Sequence, residues 1–307
     1  MYKFVLLFII LIITAIILRI KTKYINGGGD SGGGDDEPPT EINIETDCYP
    51  RDLINECISF VNRDKSFIPF NAEMLTDEVA RINKKYNSNI TADAIIKIRQ
   101  MELGMRSQRS GIQILKMGDT LLAASNNGES VLSLSRKYNL SPIMVLRQIL
   151  SELNYSDSAI KNMLTNNSDE LPPKFKAEIN DILAADINSQ SNMKNIHQSA
   201  QNYEEKVAKW LSDNGIKFTT EDELRKQNKS ITPDFYLEEP IKINGQLIHW
   251  IDAKDYVLYG CKLVASKLKK QTKKYTETFG RGALIFSGGI TCGESINIDN
   301  PPLLIKL

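Results

Sequence analysis

The spacing of apolar residues changes character twice along the chain. From Phe4 to Leu18 every side chain is apolar except Thr14, with Lys3 before the run and Arg19, Lys21 and Lys23 after it. Such a run, bounded by cations, predicts a transmembrane anchor over residues 1–20. It is short against the roughly 17 to 25 residues of a span, but Lys3 and Arg19 can snorkel and lengthen it. The rival is a cleaved secretory signal, whose apolar region runs about 7 to 15 residues; no small-x-small cleavage site precedes the glycines that follow. The basic excess after the run places the body on the cytoplasmic side of a single-pass membrane protein. Residues 21–46, with the Gly-, Asp- and Pro-rich stretch Asn26 to Thr40, read as a flexible linker.

Over residues 47–195 the apolar period is helical. Leu75, Val79 and Ile82 form one stripe, and Ala94, Ile95, Ile98 and Met101 another. Within this all-α region, residues 128–153 have the form of a helix-turn-helix. Val131, Leu134 and Tyr138 share a face, Asn139 and Leu140 make the turn, and Ser141 with Pro142 starts the second helix. That helix buries Val145, Leu146 and Ile149 and turns Met144, Arg147, Gln148 and Ser151 outward, where Arg147 and Gln148 could touch DNA. A helical pair that only packs is the other reading.

Residues 196–307 change grammar again, to helix, strand, hairpin, strand, helix and strand. Asn202 to Phe218 reads as a helix stopped near Gly215, and Ile231 to Pro240 as a strand entering a turn. Ile241 to Lys254 reads as a hairpin pivoting on Asn244 and Gly245. A lysine-rich helix, Leu263 to Phe279, and the apolar strand from Ala283 follow. The order predicts an α/β domain with a mixed central sheet flanked by helices.

Composition narrows the chemistry. The 38 basic and 38 acidic residues cancel, so any nucleic-acid surface is local. The cysteines Cys48, Cys57, Cys261 and Cys292 stand singly, and His197 and His249 are far apart. Zinc fingers and a disulfide framework are therefore disfavoured, and the cysteines read as ordinary thiols.

One constellation remains. Alternation along a strand sends Asp252 and Lys254 to the same face and leaves the Ala253 carbonyl as a further oxygen ligand. Asp234, after Pro233, can meet them from the neighbouring strand. Oxygen ligands beside a cation are what metal-assisted phosphodiester hydrolysis needs. Pro233 and Asp234 as a turn, with Asp252 and Lys254 as a solvated strand pair, is the bland alternative; the apolar Ile248, Trp250 and Ile251 oppose it, because buried charge needs partners. Glu204 lies on the helical stripe of Val207, Ala208 and Leu211, so it can point inward. Gln271 and Tyr275 are four apart on the apolar stripe of the lysine-rich helix, facing the sheet. Lys262, Lys267, Lys269, Lys270, Lys273 and Lys274 leave that helix without an interspersed acid, suiting either a phosphate backbone or simply solvent.

The string Thr232-Pro233-Asp234-Phe235, the segment Ile243 to Lys254, the run Gln271 to Tyr275 and the segment Thr278 to Phe286 resemble the TPD-motif, codanin-interacting-nuclease-like family. That family belongs to the PD-(D/E)xK restriction-endonuclease-like superfamily. The likeness is densest from about Tyr203 onward and reaches more loosely back to about Met74. It implies a restriction-endonuclease-like fold over residues 196–307 and a Mg²⁺- or Mn²⁺-dependent nuclease acting on nucleic acid, DNA foremost. Asp234, Asp252, the Ala253 carbonyl and Glu204 would then hold metal, and Lys254 would serve the attacking water. Gln271 and Tyr275 would complete the catalytic set, while Lys267, Lys270 and Lys274 bind the strand. It also implies a codanin-like protein partner for the helical region. The family's pattern has Glu where this chain has Asp252. That departure leaves open a second function: a tethered nucleic-acid-binding or docking module that keeps the fold without the turnover.

Overall fold

The computed structural model describes residues 39–45, 47–166 and 168–307. Its first helices pair amphipathic stripes. Leu53, Ile54, Cys57 and Val61 of α1 (Arg51–Arg63) pack with Ile82 of α2 (Thr76–Tyr86) and with Ala94, Ile95 and Ile98 of α3 (Ala92–Leu115). Thr91 caps α3 by accepting from Ala94 N at 3.1 Å. Arg99 is fully buried on α3. Its guanidinium donates to the carbonyls of Val61, Asp64, Ser66 and Ile68 and pairs with Asp64 at 2.8 Å. It thereby supplies the donors that the end of α1 lacks.

The next layer surrounds a central helix. α5 (Val131–Tyr138) turns through Asn139 at φ 54° into α6 (Pro142–Glu152), whose N-cap Ser141 accepts from Met144 N. Buried Asp186 accepts from Ser141 Oγ and Ile143 N at the same end. α4 (Gly118–Asn126), α7 (Asp157–Thr165) and α8 (Pro173–Ala184) all contribute to the core around Val145, Leu146, Ile149 and Leu150. A Cβ at Gly118 would strike Glu152 and Gln148, which are themselves joined at 2.7 Å. Arg147 and Gln148 are half-buried. Val145, Leu146, Ile149 and Leu150 take the buried faces of α6, and Arg147 and Gln148 keep part of their surface toward solvent, Gln148 donating to Glu152.

The long helix α9 (Gln190–Asp213) leads into the sheet. Strands β3 (Phe235–Ile243) and β4 (Gln246–Lys254) form the antiparallel hairpin on Asn244 and Gly245, at φ 49° and 74°. Where a turn was expected at Pro240, β3 continues as one strand with a register irregularity between Tyr236 and Ile241, as a residue without an N–H demands. Parallel strands β5 (Ala283–Phe286) and β6 (Leu303–Lys306) extend the sheet beyond β4. β1 (Glu41–Ile42) and β2 (Phe218–Thr220) both border β3, β1 in parallel and β2 antiparallel. Ordered strand thus reaches into the end of the predicted linker. α9 covers Phe235, Ile251, Ala253 and Ile285. α11 (Lys262–Phe279) covers the other face, where Leu268 and Tyr275 meet Trp250, Leu284 and Phe286. A Cβ at Gly282 would meet the Trp250 ring at 2.0 Å, so only glycine lets that indole lie flat there.

Two expectations about the chain's surroundings need correction. Among the described residues no helix is long and apolar enough to cross a membrane, which overturns the single-pass membrane protein; the anchor assigned to residues 1–20 lies outside the described residues. α3 and α9 have the length, but α3 carries Lys97, Arg99 and Arg106, and α9 carries Glu204, Glu205 and Lys206. The cysteines are not all thiols either. Cys48 and Cys292 form a disulfide across 244 positions, flanked by Tyr49 N to Ile290 O at 2.8 Å and Cys292 N to Tyr49 O at 2.9 Å; Cys57 and Cys261 are free and buried. Peptide mapping of the purified chain without reductant should recover one peptide pair joining Cys48 to Cys292, with Cys57 and Cys261 alkylated only after unfolding. Early alkylation of Cys48 and Cys292 under native conditions would contradict the pairing.

Candidate functional site

Ladder register brings the predicted acids together. Phe235 pairs with Ile251, so Asp234, one residue earlier, lies at the strand end beside Asp252. The Ala253 N–H donates to Asp234 Oδ2 at 2.7 Å. Asp252 is fully buried and ion-paired to Lys254. Apart from that pair, neither Asp252 oxygen has a hydrogen-bond partner. An orphaned buried carboxylate is costly unless something else completes it.

The electrostatics follow from this crowding. Burial, and then the charge of Asp252, push the Asp234 carboxyl well above the usual carboxylate range. Burial works against the charge on Lys254, but Asp252 and Asp234 outweigh it and hold the ammonium above the ordinary lysine value. Two adjacent acids, one fully buried and one half-buried, share one cation, which leaves a deficit of positive charge.

Glu204 stands differently from the expectation. The buried stripe of α9 is Tyr203, Val207 and Leu211, and Glu204 is exposed at its edge. It still lines a cavity of about 270 Å³ with Gln201, Glu221, Asp222 and Asp234. Burial first, then Glu221, raise its pKa. Glu221 was not foreseen. It starts α10 (Glu221–Lys226), whose Thr220 and Glu223 form a capping box, and its N–H donates to the Asp234 carbonyl at 3.1 Å. The Thr220-x-x-Glu223 signature was the available signal.

Gln271 and Tyr275 face the sheet as expected, but they grip the Thr-Pro-Asp loop. Gln271 donates to the Tyr275 hydroxyl at 2.9 Å, and that hydroxyl donates to the Thr232 carbonyl at 3.0 Å. Thr232 Oγ1 in turn donates to Glu221 at 3.0 Å. The Tyr275 ring stands edge-on to Trp250 at 5.2 Å. Asp234 is therefore fixed from α11 and α10 through its own loop. On the solvent side of the same chain, Lys267, Lys270 and Lys274 line a cavity of about 340 Å³ with Ser230, Ile231 and Gln271. Among the described residues these three lysines form no ion pair, whereas Lys273 pairs with Glu277 at 3.7 Å.

Does this set fit a divalent ion? Among the described residues no group of three or more His, Cys, Asp and Glu side chains is gathered to hold a metal. The donors at hand are instead two carboxylates and a backbone carbonyl beside them, hard oxygens of the kind Mg²⁺ and Mn²⁺ take with water completing the shell. Among the described residues Asp252 Oδ1 is buried without a hydrogen-bond or ion-pair partner, and that is the observation that fits such an ion.

Comparison with known proteins agrees with the loop and strand motifs. Residues 172–300 match the family model described as a protein of unknown function with the TPD sequence motif. An uncharacterized protein of Acanthamoeba polyphaga mimivirus is 37% identical over 116 residues, 36% of this chain and 42% of that protein. CDAN1-interacting nuclease 1 of Homo sapiens is 32% identical over 90 residues, 29% of this chain and 32% of its own length. Its Mus musculus counterpart is 36% identical over 76 residues, 25% of this chain and 27% of its own length. The chain thus spans less than half of each of these relatives. No solved structure matches. Over residues 172–300, the segment that carries Thr232, Pro233 and Asp234, the chain thus matches the TPD-motif family and is similar to the codanin-interacting nucleases.

Proposed function

We propose that the chain hydrolyses phosphodiester bonds of nucleic acid, DNA foremost, at the end of the β3–β4 pair. The observation that carries this reading is the fully buried Asp252, which among the described residues has Lys254 as the ion-pair partner of Oδ2 and no partner for Oδ1, beside Asp234. Asp234, Asp252 and the Ala253 carbonyl would hold a Mg²⁺ or Mn²⁺ ion, and Glu204, which shares a cavity with Asp234, would be a further ligand directly or through water. When bound, that ion polarises the phosphate and makes water a better nucleophile.

The protein's own groups do the rest. Lys254 orients the attacking water and offsets negative charge developing on the phosphate. Tyr275 and Gln271 hold the Thr232 carbonyl and so keep Asp234 in register. Lys267, Lys270 and Lys274 track the strand's phosphates, which makes binding salt-dependent. Restriction-endonuclease-like topology accords with a mixed sheet between α9 and α11. The absence of a three-carboxylate cluster among the described residues favours a second reading, a module that binds nucleic acid without turnover.

One experiment separates the two. The purified chain, given single-stranded DNA, duplex DNA and RNA with Mg²⁺ or Mn²⁺, should cleave at least one of them. Asp252→Ala and Lys254→Ala should each lower the rate by about 100-fold or more. Lys267→Gln with Lys270→Gln should raise KM and flatten its salt dependence at unchanged kcat. Binding to DNA that survives Asp252→Ala, with no cleavage by the parent chain, would establish the second reading instead.

The relatives named as CDAN1-interacting extend the proposal to a codanin-like protein partner on the helical region. Immobilised codanin-like protein should retain the parent chain, and retention should fall on charge reversal of exposed helical residues such as Lys116 and Lys161. Retention unchanged by such reversals would place the contact elsewhere.

A further inference from the structure

The residue after Lys254 points away from the acids and into another network. Asp255 accepts from Ser199 Oγ of α9 at 2.6 Å and from Ser287 Oγ, just beyond β5, at 2.6 Å. It also pairs at 3.0 Å with Lys97 of α3. Lys97 is 6% exposed, unusual for a lysine on a helix, and Asp93 one turn back completes its coordination. Ser287 acts twice, because its N–H also donates to the Lys254 carbonyl at 3.0 Å.

The peptide joining Lys254 to Asp255 is thus held from three elements at once. Without such ties the last residue of a strand frays, since its ladder ends there. Lys254 is that last residue of β4. Its backbone sets where the ammonium stands beside the two acids, within a tolerance of well under about 1 Å if it is to serve a reacting water.

We infer that Lys97 and Asp255 are positioning residues for Lys254: the helical half, through Lys97, completes the active end of β4. This rests on the nuclease reading for its kinetic consequence, though the clamp itself does not. Lys97, Asp255, Ser199 and Ser287 are not among the residues proposed to hold the ion or the strand. Their action is on geometry alone. The helical region is accordingly part of the working site and not only a carrier for partners.

The test uses the full chain with Lys97→Met, Asp255→Asn, the two combined, and Lys97→Arg. Each single change strands one buried charge or its donors, so both single variants should melt earlier than the parent. Combining them removes both charges and should restore much of that loss. Positioning predicts that kcat does not return with stability. It should stay at least about tenfold down in the double variant, with KM within about twofold of the parent, while Lys97→Arg keeps near-parental kcat. Amide exchange at Ser287 should be at least about tenfold faster in the double variant, with Ile285 in β5 unchanged.

Recovery of kcat together with stability in the double variant would overturn the inference, as would parental exchange at Ser287. If the parent chain cleaves nothing, the nuclease reading fails by itself, and exchange at Ser287 still decides whether the clamp exists.

Discussion

Drawing a buried carboxylate, a half-buried one and a half-buried lysine together at the end of a single strand pair is the constraint on which the rest of this structure turns. Asp252 has no exposure to water, Asp234 and Lys254 are half-buried, and one ammonium serves both acids. Desolvating such charges costs several kcal/mol per ion even after relaxation. That cost is tolerated only if surrounding elements are tightly fixed, and they are. Trp250 lies flat over Gly282 and its Nε1–H donates to the Gly280 carbonyl at 2.8 Å. Tyr275 reaches from α11 to the Thr232 carbonyl, and Glu221 reaches from α10 to the Asp234 carbonyl. The site is an electrostatically strained point in a rigid frame, which is how sites that bind cations are commonly built.

Much of that frame was legible along the chain because its signals are local. Asn244 and Gly245 adopt the positive φ values that their pairing in a two-residue hairpin predicts, and the hairpin register then places Asp234 beside Asp252. The stripe on α11 put Gln271 and Tyr275 toward the sheet, but their partner, a backbone carbonyl, could not be read from side-chain spacing. Asn139, Ser141 and Pro142 marked the turn between α5 and α6 correctly. What they could not show was how many other helices would surround α6, since that depends on α4, α7 and α8 arriving from elsewhere in the chain.

The misses share a physical cause: each is a contact between residues far apart in sequence. Cys48 and Cys292 are 244 positions apart and meet because Tyr49 lies along Ile290 and Cys292. Arg99 and Lys97 stand on α3 with nothing in the local sequence to mark them, yet Arg99 closes the end of α1 and Lys97 pairs with Asp255. Glu204 shows the opposite error. A helical stripe defines a face only to within one residue, and Tyr203 took the buried position beside it. Local pattern therefore located the chemistry, while long-range packing decided which charges support it.

The central claim is that Asp234 and Asp252 form the seat of a divalent cation. Crystals of the chain soaked in Mn²⁺ and measured at the manganese edge test it directly. The account predicts one anomalous peak between these two carboxylates, about 2.0 to 2.4 Å from an oxygen of each, with Lys254 displaced from Asp252. A map without density there, with Lys254 still paired to Asp252 at saturating Mn²⁺, would contradict it.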